Sequence, residues 1–190
     1  MSEEYERRFV GGEARVDIGD GRKIRGYAVV FDQKSVDLGG FQEIIRAEAV
    51  DRTLSEALDV RALVDHDSSK IIGRTRAGTL TLRKDRKGLQ AKIDPADTTA
   101  GRDIFESVSR GDVSGMSFAF RTLTDEWRME DGIVIREILD MTIREVSIVS
   151  FPAYPQTSVE VAQRSLDAFR RAHKGNRLEW LRKWHKTRLA

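Results

Sequence analysis

Residues 112–120 read DVSGMSFAF and predict the central strand of the fold. Apolar residues recur through this stretch, and the Gly-Asp pair at its start is typical of a turn. Its Gly-x-Ser triplet ends at Ser117 and places a hydroxyl among apolar neighbours. A lone serine of this kind most often bonds to the backbone, but His66 stands upstream and Glu145 interrupts a strand downstream. Serine, histidine and carboxylate are the components of a nucleophile activated by proton transfer.

His66 follows an apolar strand in the sequence VDHDSS, residues 64–69. It is either a histidine of a surface turn or a general base, and local sequence alone leaves both interpretations open. His66 is the only histidine before residue 173, and imidazole titrates near neutral pH, as a general base must. His173 and His185 lie among Lys and Arg near the C-terminus, and we expect both to be solvated.

Glu145 lies in the apolar strand predicted by MTIREVSIV, residues 141–149. Regular alternation predicts that Glu145 shares one face with Ile143 and Ser147. There it is either exposed to solvent, with Arg144 as a candidate partner, or buried with a partner, because burying an unpaired carboxylate is costly. In the second interpretation it accepts the other ring N–H of the histidine, fixes the tautomer and stabilises the imidazolium.

Ser114 is the alternative nucleophile. Because Ser114 and Ser117 are three residues apart, they point to opposite faces of a regular strand, and at most one can meet His66. We favour Ser117, since Gly115 removes a side chain where the backbone of a substrate would approach.

The composition is that of one soluble globular domain with an appendage. The chain has 190 residues, 39% hydrophobic and 34% charged, and no cysteine. The lack of cysteine excludes disulfides, thiolate zinc sites and cysteine nucleophiles. The first eight residues are polar, and no apolar run approaches the length of a membrane span. We therefore expect no cofactor, no metal and no membrane association.

Short strands separated by glycines outnumber helices along the chain. Hairpins are predicted over residues 7–17 with 22–31 and over 127–129 with 133–138, and helices over 47–58 and 97–110, the second capped by Thr98 or Thr99. The βα alternation of a parallel sheet is absent. The pattern predicts an α+β fold that is mainly β, with an antiparallel, barrel-like body and peripheral helices.

The C-terminal segment differs in charge from the rest of the chain. Residues 163–190 contain nine Lys or Arg and two acidic residues, a net charge of +7, so the remainder carries −5 of the total of +2. The pattern becomes helical from residue 160. We therefore divide the chain into a body, residues 1–160, and a basic helical tail, residues 161–190. Its cations with Trp180 and Trp184 suit either nucleic acid or the acidic surface of a partner.

Three motifs, taken together and in order, resemble the tailed-bacteriophage prohead maturation proteases, which are related in fold to the herpesvirus assemblins. The motifs are DHD at 65–67 with IGR at 72–74, SGMSFAF at 114–120, and REVSIV at 144–149 with PAY at 152–154. The resemblance covers about residues 5–160. It implies an antiparallel barrel of the assemblin type and a serine endopeptidase.

Matching motif to motif, the resemblance gives His66 the role of base, Ser117 that of nucleophile and Glu145 the third position. It implies action inside the immature capsid, or prohead, in the cytoplasm of the host cell. The implied substrates are the scaffolding segment of the major capsid protein and the enzyme itself, with the portal as a further candidate partner. Assemblins also suggest a homodimer, and a docking or self-cleaved role for the tail.

One departure concerns the oxyanion contact. Assemblins place a Gly-Arg-Arg segment after the third strand, whereas this chain has Ser150, Phe151 and Pro152 there, and proline has no N–H to donate. A backbone N–H of Ser150 or Phe151, or the side chain of Arg144, is the expected substitute. Two other functions stay open: a non-catalytic capsid-assembly or scaffolding protein on the same fold, and a nucleic-acid-binding module led by the tail.

Overall fold

The computed structural model describes residues 5–10, 16–19, 21–151 and 160–172. The strands in chain order are β1 Glu6–Val10, β2 Asp17–Ile18, β3 Ile24–Val30, β4 Gln42–Ile45, β5 Arg61–Val64, β6 Asp67–Arg74, β7 Leu80–Lys84, β8 Gly88–Ile93, β9 Gly115–Glu130 and β10 Ile133–Val149. The helices are α1 Asp51–Ser55, which continues a 3-10 turn over Ala47–Val50, α2 Thr99–Arg110 and α3 Glu160–Ala172, and a second 3-10 turn spans Thr75–Ala77. The fold is thus mainly β with a few helices, as the sequence predicted.

The long hairpin of β9 and β10 is the centre of the larger, six-stranded sheet. Its strand order is β1-β9-β10-β5-β6, and β4 pairs with β10 beside β5. Both β4 and β5 pair with β10 and run parallel to it. The helical segment between β4 and β5 lets the chain continue in the same direction from one strand to the next. Among the described strands the two sheets do not close into the single antiparallel barrel that the resemblance implied.

The smaller sheet has the antiparallel order β2-β3-β8-β7. It packs against one face of the larger sheet, and the main apolar core lies between them. From the small sheet this core includes Ile24, Val29, Leu89 and Ile93, and from the large sheet Met116, Phe118, Val146 and Ile148. The two layers approach closely at Gly26, where an added Cβ would lie 2.8 Å from the sulfur of Met116.

Local signals predicted some elements correctly. Helix α2 begins after Thr98, whose side chain accepts a hydrogen bond from the Gly101 N–H, and it ends at Gly111 in the left-handed conformation. The β9–β10 turn is the predicted Asp131-Gly132 pair, both with positive φ, as a two-residue hairpin loop requires. The helix predicted over residues 47–58 is shorter, a 3-10 turn followed by one short helix.

The first predicted hairpin is wrong in its larger part. Only the short β2 pairs with β3, whereas β1 pairs with β9, from Glu6 opposite Phe120 to Val10 opposite Met116. Alternation identified β1 as a strand, but alternation does not specify the partner. Here the partner is decided by the buried side chains of Glu6 and Arg8, whose charged partners lie on β4 and β10.

Helix α3 packs beside the outer half of the β9–β10 hairpin. Ala162 and Leu166 join Phe41 and Val134 in a small second core, and the ring of Phe169 stacks on Trp127. Residue 160 is thus the start of a helix, as predicted. The rest of the predicted basic tail, residues 173–190, lies outside the described residues, and so do His173 and His185.

Candidate active site

His66 lies in a tight turn between β5 and β6. Asp65 and His66 both have positive φ, 49° and 60°, which is uncommon for residues with side chains. The turn is anchored to the end of β10, because Asp65 N donates to Ile148 O at 2.9 Å. The Asp65 carboxylate also accepts from the N–H and the hydroxyl of Ser150, at 2.8 and 3.0 Å. These contacts fix the imidazole against β10.

Glu145 is buried on β10, with 5% of its surface exposed, and it contacts His66. The Glu145 Oε1 atom lies 2.6 Å from His66 Nδ1. Because an ionised carboxylate only accepts, this contact places a proton on Nδ1, and in the neutral imidazole Nε2 then carries the free lone pair. Within the described part of the chain, His66 Nε2 is buried and has no hydrogen-bond partner. The arrangement presents a basic nitrogen held in one orientation.

The strand that carries Glu145 is not regular. The register between β9 and β10 shifts between Ile143 and Glu145, so Arg144 is an extra residue on its strand. Ile143 therefore packs into the main core with Val146. The prediction that Ile143 shares a face with Glu145 is wrong, because strict alternation cannot anticipate a bulge.

Ser117 lies on the same sheet face as the His66–Glu145 pair. It stands directly opposite Ser147 in the antiparallel register, and directly opposite residues share a face. Ser147 in turn donates its hydroxyl to Glu145 Oε2 at 2.5 Å. Ser117 is fully buried, and its hydroxyl donates to the carbonyl of Arg8 on β1 at 2.9 Å. The structure thus joins His66 to Glu145, whereas Ser117 lies on the neighbouring strand with its hydroxyl bonded to backbone.

Ser114, the alternative nucleophile, precedes β9 and is exposed. Its carbonyl accepts the N–H of Val16 at 3.0 Å. Since His66 Nε2 has no partner among the described residues, neither serine donates to it in this structure.

Phe9 of strand β1 lies beside the serine. Phe9 is directly opposite Ser117 and so lies on the same face. Its ring rests against Gly115, where an added Cβ would lie 2.6 Å from Phe9 Cε2. The space that glycine leaves open beside the serine, which we expected a substrate to use, is therefore filled by a side chain of the protein itself.

A second buried polar cluster lies on the opposite face of the same strands, and we name it the Arg136 network. It comprises Glu6, Arg8, Glu43, Asp125 and Arg136, joined by the hydroxyl of Thr122. Arg8 donates to both oxygens of Glu43, at 2.7 and 2.9 Å, and Arg136 donates to both oxygens of Glu6, at 2.6 and 3.1 Å. Sequence inspection missed this network, although charged residues alternating inside the strand ERRFV were a signal for it.

The network shifts the pKa values of its members. Burial raises the pKa of Glu6, but the hydrogen bonds and positive charges of Arg136 and Arg8 outweigh burial and hold that pKa below its ordinary value of 4.5. Burial lowers the pKa of Arg136, and the carboxylates of Glu6, Glu43 and Asp125 raise it further than burial lowers it. Both groups are therefore charged at neutral pH.

The groups expected to donate hydrogen bonds to the oxyanion are the N–H groups of Ser150 and Phe151 and the side chain of Arg144. The N–H of Ser150 is engaged with Asp65, so it holds the His66 turn and is not a free donor. The guanidinium of Arg144 lies over the ring of Tyr5, 4.5 Å from its centroid. Phe151 is exposed. Pro152 lies outside the described residues.

Within residues 5–10, 16–19, 21–151 and 160–172, no cluster of three or more His, Asp or Glu is arranged to hold a metal ion. None of the helices in those ranges has the length and apolar character needed to cross a membrane.

A histidine oriented by a buried carboxylate, with a serine on the next strand and the same face, is a set of groups typical of serine hydrolases. The family model of the caudovirus prohead serine proteases matches residues 12–172, and the chain belongs to this family. This confirms the resemblance seen in the three motifs. The protein is thus placed among the serine proteases of bacteriophage capsid maturation.

A comparison with solved structures found the bacteriophage T4 capsid assembly protease gp21. The match covers 78% of this chain and 98% of that chain, with 8% sequence identity and a TM-score of 0.49. No curated protein matches the sequence.

Proposed function

We propose that this chain is a serine endopeptidase that cleaves the scaffolding segment of the major capsid protein, and itself, inside the immature capsid in the host cell. Membership of the prohead serine protease family supports this class of activity. The observation that carries the choice of residues is the contact between His66 Nδ1 and Glu145 at 2.6 Å, which leaves Nε2 buried and without a partner in the described residues.

In the proposed mechanism Ser117 is the nucleophile. Its Oγ attacks the scissile carbonyl and passes its proton to His66 Nε2, while Glu145 stabilises the imidazolium through Nδ1–H. The peptide C–N bond then breaks, the amine leaves with the proton from Nε2, and an acyl-enzyme remains. Water attacks the ester, again giving a proton to Nε2, and Ser117 recovers its hydroxyl proton as the acid product leaves.

In this proposal the arrangement of Ser117 and His66 is a resting state of the enzyme. The Ser117 hydroxyl must leave the Arg8 carbonyl and turn towards Nε2 before it can react. Ser117 is fully buried and the ring of Phe9 lies against Gly115, so in this proposal a substrate reaches the serine by displacing that ring. We therefore expect turnover to require movement of β1 or at least of Phe9.

The partners follow from the same proposal. The major capsid protein is the principal substrate, with the portal and a second copy of this chain as further partners. We assign the basic tail, residues 161–190, to docking or self-processing, because nine cations suit the acidic surface of a partner.

The test is a comparison of Ser117→Ala with Ser114→Ala. Both variants are co-expressed with the capsid protein, cleavage is followed by mass spectrometry, and the purified proteins are treated with a fluorophosphonate that labels activated serines. We expect Ser117→Ala to lose cleavage and labelling by several orders of magnitude and Ser114→Ala to retain both. The reverse result would move the nucleophile to Ser114.

Cleavage by both variants would remove serine catalysis from these positions. If the wild-type chain is never labelled and assembles shells of the same protein composition as Ser117→Ala, the chain is a non-catalytic assembly protein instead. Salt-sensitive DNA binding that is lost on truncation before residue 160 would favour the nucleic-acid-binding function.

A further inference from the structure

We propose that Ser147 is a positioning residue that holds the Glu145 carboxylate in the orientation His66 needs. This inference rests on the proposed function and adds a fourth residue to it. Ser147 is fully buried, and its hydroxyl donates to Glu145 Oε2 at 2.5 Å. The other oxygen, Oε1, lies 2.6 Å from His66 Nδ1. Each oxygen of the carboxylate therefore has its own partner.

The geometry explains why one hydroxyl can control the carboxylate. A carboxylate bound through one oxygen can rotate about its terminal bond, which is a broad and soft torsion. A second hydrogen bond on Oε2 fixes the carboxylate plane and therefore the direction from which Oε1 meets the imidazole. Without Ser147, Oε2 would be left buried without this donor, a costly state that favours rotation of the group towards another partner.

Ser147 is also placed to couple both halves of the site. On β10 it lies two residues after Glu145, and across the sheet it is directly opposite Ser117. Ser147 is thus paired with the proposed nucleophile through the backbone register, and it bonds the carboxylate through its side chain.

The experiment compares Ser147→Ala and Ser147→Thr with the buried control Thr53→Val. Thr53 is also buried and bonded to β10, since its Oγ1 accepts the N–H of Ile143 at 3.0 Å, but its hydrogen bonds go to Ile143 and Met141 and not to Glu145. For each variant, kcat and KM are measured on a capsid-derived peptide per active site, and stability is measured by urea unfolding. The His66 Nδ1 proton is observed by NMR as a direct report on its bond to Glu145.

We expect Ser147→Ala to lower kcat about 10- to 100-fold with KM little changed, because a hydrogen bond to a charged group is lost from the reacting assembly. The His66 Nδ1 proton should move upfield or exchange faster. Ser147→Thr, which keeps the hydroxyl, should restore both properties. Thr53→Val should lower stability while kcat per active site and the Nδ1 signal stay at the wild-type values.

Two results would overturn the inference. The first is a wild-type kcat and Nδ1 signal in Ser147→Ala. The second is an equal loss of kcat in the Ala and Thr variants, which would mean that packing at this position matters and the hydroxyl does not. Either result leaves the proposed function standing as long as Ser117→Ala is inactive, whereas cleavage by Ser117→Ala would remove the proposed function itself.

Discussion

Strands β9 and β10 carry two buried polar clusters on opposite faces, and the clusters differ in how completely they are paired. In the Arg136 network each guanidinium bonds two carboxylates or more, and Glu6 bonds two arginines and a hydroxyl. The cluster of His66, Glu145 and Ser147 is paired on the carboxylate side only. In the described residues it leaves one buried nitrogen, Nε2, without a partner.

The difference in hydrogen-bond pairing distinguishes a cluster that stabilises the fold from a cluster that can accept a proton. A buried charge is tolerated when all of its hydrogen-bonding capacity is used, and removing one partner then costs stability. A buried base without a partner costs stability from the start, and it is retained where a proton must be accepted. We infer that the Arg136 network holds the fold together and that the His66 cluster is the reacting part.

Strand β1 belongs to both clusters. Glu6 and Arg8 point their side chains into the Arg136 network, whereas Phe9 faces the other way and lies against Gly115. The carbonyl of Arg8 accepts the Ser117 hydroxyl. The ion pairs on one face therefore hold in place the strand that sets Phe9 against Gly115 on the other face.

The largest effect is expected from Arg136→Met. This change leaves the buried carboxylates of Glu6 and Glu43 with Arg8 as their remaining shared cation. Loss of one partner from a buried ion-pair cluster costs about 3–5 kcal/mol. Urea unfolding measures the loss. The matched control is Arg128→Met, since Arg128 also bonds two carboxylates, Glu130 and Glu137, but its side chain is 40% exposed. Equal losses in the two variants would mean that burial does not distinguish the Arg136 network.

Local signals were sufficient for some parts of this structure. Helix α2 could be predicted because its cap, its apolar stripe and its terminal glycine lie within 14 consecutive residues, from Thr98 to Gly111. The Asp131-Gly132 turn could be predicted because its backbone conformation suits few other pairs. His66 and Glu145 were selected as chemically unusual residues at the end of a strand and within one, and the structure brings them into contact.

Other parts depend on distant residues and could not be predicted. The pairing of β1 depends on Glu6 and Arg136, which are 130 residues apart. The bulge at Arg144 has no glycine or proline to mark it, so alternation assigned the wrong face to Ile143. The Ser117 contact with Arg8 follows from the β1 pairing, so it was equally hidden.

A smaller effect is expected from Phe9→Ala, which tests whether β1 closes the site. Removing the ring opens the space beside Gly115, and if the closed state is about 90% populated, the rate of fluorophosphonate labelling at Ser117 should rise by up to about tenfold. The control is Val10→Ala, which removes buried packing from the other face of β1 and should not increase labelling. An unchanged labelling rate in folded Phe9→Ala would show that Phe9 does not limit access.

The smallest effect is expected in the pH dependence of stability, and it sharpens the contrast between buried and exposed charges. The pKa of Glu6 in the folded protein is below its ordinary value of 4.5, so ionised Glu6 stabilises the fold above about pH 4.5. This contribution is lost as the pH falls from 4.5 through the folded-state pKa. Urea unfolding at a series of pH values should therefore show that the free energy of unfolding falls less steeply at acid pH in Glu6→Gln than in the wild type.

Glu130 provides the matched control for this measurement. Its hydrogen bonds to Lys34 and Arg128 lower its pKa to about 2, yet it lies at the surface, where water and salt screen the pair. We expect Glu130→Gln to reduce the acid loss of stability at low ionic strength, and this difference from the wild type to disappear in high salt, whereas the difference for Glu6→Gln should persist. If Glu130→Gln still reduces the acid loss in high salt as much as Glu6→Gln does, the acid sensitivity comes from surface pairs and the Arg136 network is not its source.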